Sequence, residues 1–105
     1  MRQFKAPTVG PAEVLIMSGK EEYAKKLQQA QSVLNMIADD NTTPRNIRRA
    51  AKQASDMLMD QGPSIGARAA NAISLLEDIS QDPNMPMYSR TRIWNAISVL
   101  EGIRD

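Results

Sequence analysis

The stretch Leu34-Asn35-Met36-Ile37-Ala38-Asp39-Asp40-Asn41-Thr42-Thr43-Pro44-Arg45-Asn46-Ile47-Arg48 has an echo 42 residues later. There the chain reads Leu76-Glu77-Asp78-Ile79-Ser80-Gln81-Asp82-Pro83-Asn84-Met85-Pro86-Met87-Tyr88-Ser89-Arg90. No gap is needed to align them. Leu34 meets Leu76, Ile37 meets Ile79 and Asp40 meets Asp82. Pro44 meets Pro86, Arg48 meets Arg90, Ala54 meets Ala96 and Leu58 meets Leu100. These are seven identities over the 28 positions from Val33 to Asp60. Their order carries meaning: a helix face, a loop Asp, a Pro that opens the next helix, an Arg one turn in, a small residue and a Leu. A period near 42 with two helices per unit is that of HEAT or armadillo repeats.

Helical period extends outward from this repeat. The first helix is expected over about Lys20 to Asp39, with Tyr23, Leu27, Ala30, Leu34, Ile37 and Ala38 on one face. The second opens at Pro44, with Thr43 as N-cap, because Pro loses nothing where the N–H is unpaired. Its stripe is Ile47, Ala50, Ala51, Ala54, Met57 and Leu58, and Gly62 and Pro63 stop it near Asp60. Ser64 caps the third helix, which runs to about Ser80. The fourth runs from Pro86 to about Arg104. Strand patterning of period two is absent. The expected fold is all-α: a four-helix bundle of two HEAT-like helical hairpins, over about 20–61 and 62–105. Two stacked units fall short of the ~3 that a solenoid needs. The chain therefore closes into a bundle or dimerises through an open end.

Residues 1–18 read as an irregular arm, with Pro7, Gly10, Pro11, Arg2 and Lys5 and at most a short helix at Ala12 to Met17. The four-helix domain occupies 19–105. Met17-Ser18-Gly19-Lys20-Glu21-Glu22 itself reads as a protein start, so 1–16 are expected to be an extension or the product of an upstream start codon.

The quoted stretches also resemble a known family. Thr43-Pro44-Arg45-Asn46-Ile47-Arg48-Arg49-Ala50-Ala51 and Ile79-Ser80-Gln81-Asp82-Pro83-Asn84-Met85-Pro86 are similar to the archaeal uncharacterised protein family 0147. So are Arg90-Thr91-Arg92-Ile93-Trp94-Asn95 and Leu100-Glu101-Gly102-Ile103-Arg104. The resemblance covers about Lys20 to Asp105. It implies a small, all-helical, cytoplasmic archaeal protein and no activity, since the family has none assigned.

Composition narrows the chemistry. The 105 residues suit one domain, with 42% apolar and 24% charged groups as in ordinary globular chains. Net charge is +1, so no global field demands nucleic acid or membrane. There is no Cys and no His. That removes disulfides, thiolate and imidazole ligands, and every Ser-His-Asp or Cys-His triad. No phosphate loop of the GxxxxGK[ST] or GxGxxG type is present. We expect no catalytic, cofactor or metal site, no cofactor, no membrane association, and a soluble cytoplasmic protein.

The expected role is a non-enzymatic interaction module, first a protein-binding scaffold. The alternative is RNA or ribosome association through the basic face of the second helix. Arg45, Arg48, Arg49 and Lys52 share that face. Arg48 and its mate Arg90 each follow an Asp by eight residues, which favours an internal ion pair. The repeat replaces Arg45, Arg49 and Lys52 by Met87, Thr91 and Trp94, so these three are less tied to the scaffold and make better partner-binding candidates. Trp94, beside the stripe of the fourth helix, reads first as a core residue on the first helix and second as an interface anchor. Tyr88 is expected part-exposed, able to stack on a base or a partner side chain. Met57, Met59, Met85 and Met87 read as gap-fillers before interface groups. Asp39, Asp40 and Asn41, like Asp78, Asp82 and Asn84, lack the EF-hand order and read as turn and cap chemistry.

Overall fold

The computed structural model describes the backbone from Pro11 and side chains from Glu21. Four helices follow one another: α1 Pro11–Ala38, α2 Arg45–Met59, α3 Ile65–Ile79 and α4 Met87–Leu100. No strand occurs among the described residues. The helices form a packed bundle in which α1 lies against both α2 and α4, and α2 also against α3.

Most of the stretch expected to be an irregular arm, residues 1–10, lies outside the described residues. From Pro11 the chain is already α1, nine residues ahead of the expected Lys20. That expectation rested on apolar period. Pro in an opening turn, followed by the good helix formers Ala12, Glu13, Leu15 and Met17, supports a helix without it. At 28 residues α1 spans about 42 Å, about twice any of the others.

The core is built from the stripes that the period marked. Leu34, Ile37, Ile47, Leu58, Leu76, Ile93 and Leu100 are fully buried, with Ala30, Ala51, Ala54, Ala69, Ala72 and Ala96 between them. The small alanines let helix axes approach closely. Repeat mates occupy the same depth: Ala30 and Ala72, Leu34 and Leu76, Ala54 and Ala96, Leu58 and Leu100 are all buried.

The interhelix loops repeat the same hydrogen bonds 42 positions apart. Thr43 N–H donates to Asp40 O at 3.0 Å, and Met85 N–H to Asp82 O at 3.1 Å. Thr42 N–H donates to the Asp40 carboxylate at 2.9 Å, and Asn84 N–H to that of Asp82 at 2.8 Å. Arg48 N–H and Arg90 N–H both reach the opening prolines' carbonyls at 3.0 Å. An Asp side chain thus folds each loop locally, as an Asx turn does.

Some local expectations change. Pro44 and Pro86 are themselves the cap residues, in extended conformation, and their side chains can accept nothing. Thr43 does not cap α2. It is buried, and its hydroxyl lies 3.3 Å from that of Ser89. Ser64 does cap α3, accepting from Ala67 N–H at 3.2 Å. Gly62 is not left-handed, since no described glycine has positive φ. It closes the turn by donating its N–H to Asp60 Oδ1 at 3.1 Å. The fourth helix ends at Leu100, short of Arg104.

One departure from symmetry matters. The pairs α1–α4 and α2–α3, related by the repeat, pack to equal extent. The pair α3–α4 is much more open than its counterpart α1–α2. The arginines register it. Arg48 Nε donates to Thr43 O at 3.0 Å. Arg90 instead sends Nη2 to Asp82 O at 3.0 Å, and its buried Nε has no partner. Neither guanidinium forms the expected ion pair with the Asp eight residues before it. Both satisfy loop carbonyls, which need donors as much as the carboxylates do.

The shared core sets a stability prediction. Leu34→Ala and Leu76→Ala should each cost ~2–5 kcal/mol in urea unfolding, whereas exposed Met36→Ala should stay within ~0.5 kcal/mol.

Candidate interaction site

The up-and-down course brings the 39–44 and 80–86 loops to one end of the bundle, beside the starts of α2 and α4. There the halves bind each other. Asn46 donates to Asp82 Oδ2 at 2.6 Å. The Tyr88 hydroxyl meets that of Thr42, which donates to Asp40 Oδ1 at 2.6 Å. Arg92 reaches Asp40 Oδ2 at 3.7 Å and lies over the Tyr88 ring, 5.7 Å from its centroid. Asp40, Thr42, Tyr88 and Arg92 thus close a ring across the two halves. Hydrogen bonds from Thr42, side chain first and then backbone, hold the Asp40 carboxyl below its ordinary value of 3.8, with a smaller pull from Arg92.

Tyr88 is therefore a strut at 43% exposure, its ring covered by Arg92 and its hydroxyl engaged. Trp94, read first as core, is 56% exposed. The reason is its position on α4: Ile93, Ala96, Ile97 and Leu100 take the buried side. Met87, Thr91, Trp94 and Ser98 follow one another on the opposite side, all exposed and all uncharged. Met87 is 69% exposed, so the gap-filling role goes to buried Met85 alone of that pair.

The matching side of α2 is charged. Arg45, Arg49, Lys52 and Asp56 are exposed along it. Lys52 pairs with Asp56 at 3.3 Å. Arg45 and Arg49 have no ion-pair partner among the described residues. A shallow groove of about 390 Å³ runs between this face and the end of α1, lined by Ala38, Asp39, Arg45, Arg48, Arg49 and Lys52. A second groove of about 760 Å³ lies between α2 and α3, with Asp60, Glu77 and Asp78 on its walls. Among the described residues no group of acidic side chains could hold a metal ion, and no helix is long and apolar enough to cross a membrane. The five predicted partner-binding residues thus fall into two places: Arg45, Arg49 and Lys52 on α2, and Tyr88 and Trp94 on α4. The loop-end ring was not foreseen, because Thr42 and Arg92 lie outside the repeat identities.

The fold and its surfaces define a small helical bundle with two exposed, oppositely furnished helix faces. Residues 16–103 match the model of the Uncharacterised protein family (UPF0147). The chain belongs to that family. A UPF0147 protein of Saccharolobus solfataricus is 52% identical over 89 residues, 85% of this chain and all of the relative. One from Aeropyrum pernix is 56% identical over 80 residues, 76% of this chain and 88% of the relative. The crystal structure of the unknown function protein MMP1188 is similar at a TM-score of 0.74 and 40% identity, over 95% of this chain and all of that one. A UPF0147 structure from Thermoplasma acidophilum gives 0.76 at 27% identity, over 80% of this chain and 99% of that one. The family has no characterised activity.

The ring at the loop end predicts a pH dependence. A carboxyl held low in the fold contributes stability that is complete above 3.8 and lost as pH falls through its lower folded value. Asp40→Asn should flatten the loss of melting temperature between neutral pH and about pH 3, read by circular dichroism.

Proposed function

We propose that this protein is a non-enzymatic scaffold that binds another protein through the uncharged face of α4. The observation that carries the reading is the exposure of Trp94 and Met87 together on a stripe without charge. An exposed apolar patch marks an interaction surface, and Trp buried at an interface is prominent among the residues that carry binding energy. The occupant this face suits is a protein with an apolar pocket for the indole, rimmed by polar groups that meet Thr91 and Ser98. We read the doubled hairpin behind it as HEAT-like, and the protein as cytoplasmic. The absence of a recognisable catalytic set in a chain without His or Cys supports a binding role over chemistry.

RNA or ribosome contact is the second reading. The basic groove of α2 favours it. Asp56 on the same exposed stripe, and Asp60 just past it, weigh against a track for phosphates.

Trp94→Ala is the test. Crosslinking with mass spectrometry in native extract should return a stoichiometric protein partner, weakened at least tenfold by this change, while the melting temperature holds. Recovery of no stoichiometric partner, or of one indifferent to Trp94→Ala, overturns the reading.

A further inference from the structure

The charge order on α2 runs against the helix. The positive end of a helix dipole is its N-terminus, where acidic side chains stabilise and basic ones do not. Here Arg45 and Arg49 stand at the start, and no acidic group lies in the first turn. Asp56 and the cap residue Asp60 stand at the end, with no basic group in the last turn. Each misplaced exposed charge opposes the lone helix. All four side chains are exposed; Asp56 is paired to Lys52 and Asp60 accepts from Gly62 N–H, whereas Arg45 and Arg49 have no ion-pair partner among the described residues.

An antiparallel neighbour with the same sequence reverses the sign of the effect. It lays the basic half of one helix beside the acidic half of the other and sets the two dipoles side by side in opposition. One register gives both arginines an acidic partner: Arg45 falls opposite Asp60, Arg49 opposite Asp56, and Lys52 opposite Gln53. The two-fold axis then passes between Lys52 and Gln53, and every pair occurs twice, as an isologous contact demands. A parallel arrangement would set Arg45 against Arg45 and Asp56 against Asp56. We propose that a second copy of this chain docks antiparallel along the outer face of α2, through reciprocal Arg49–Asp56 and Arg45–Asp60 pairs. The contact is a transient one, since exposed ion pairs stabilise weakly and give register and specificity more than affinity. It does not involve the α4 stripe, so Trp94→Ala leaves it intact and the two readings fail separately.

Mixed variants test it. Arg49→Asp sets like charges opposite Asp56 twice in a self-pair, and Asp56→Arg sets like charges opposite Arg49 twice. Mixed one to one, the two variants restore every pair in a heterodimer. Sedimentation equilibrium at low salt should show wild type dimerising, with the dimer weakened by added salt. Each variant alone should associate at least about tenfold more weakly, and the mixture should recover wild-type association. Both positions are exposed, and matched circular dichroism melts confirm intact folds. A wild type that stays monomeric at millimolar concentration overturns the proposal. So does a mixture no better than its components. A monomer that instead binds total RNA, loses it with Arg49→Asp and does not regain it on mixing overturns it in favour of phosphate recognition.

Discussion

The structure depends on one buried core shared by its two halves, α1 on α4 and α2 on α3, and a polar clasp closes it at one end of the bundle. Asp40 folds its own loop by accepting from Thr42, and the same Thr42 hydroxyl meets Tyr88 of α4 while Arg92 returns to Asp40. On the other side Asn46 of α2 reaches Asp82. A loop that would otherwise spend its polar groups on water spends them on the other half. The alanine-lined core joins the two hairpins along α1–α4 and α2–α3, and the clasp adds polar contacts at their loop end. Beneath the clasp the Thr43 and Ser89 hydroxyls are buried close together, so the polar contact continues into the bundle.

Much of this was legible from the residues. The helical stripes from Tyr23 onward name the core almost residue by residue, because apolar period reports burial directly. The 42-residue echo names the loop Asp and the opening prolines. Less legible were features that depend on which way one helix is turned against another. Trp94 lies one position from buried Ile93, and a rotation of α4 by a third of a turn would have hidden it. The spacing of Arg48 and Arg90 points to the loop carboxylates, yet both guanidiniums bind loop carbonyls, and sequence spacing cannot distinguish a carbonyl from a carboxylate. The ring of Asp40, Thr42, Tyr88 and Arg92 joins residues from opposite halves, and no local pattern announces it. The helical start at Pro11 was missed because it needs propensity alone.

The two halves match in part inside the bundle and differ on its surfaces. Some buried mates are identical, as Leu34 and Leu76 or Ala54 and Ala96 are, and others differ, as Ile47 and Ser89 or Ala51 and Ile93 do; on the outer faces Arg45, Arg49 and Lys52 of α2 stand where Met87, Thr91 and Trp94 stand on α4. The packing differs too, since α3 and α4 are open where α1 and α2 are closed, and Arg90 is left with an unmatched Nε. Two helices at matching positions thus carry unlike outer faces on one fold.

The lone indole has a practical corollary. Its emission arises from a side chain already more than half in water, so denaturation changes its surroundings little, and tryptophan fluorescence is a poor thermometer of folding for this molecule. For the same reason it is a clean reporter of docking: a blue shift would signal that another surface has closed over α4.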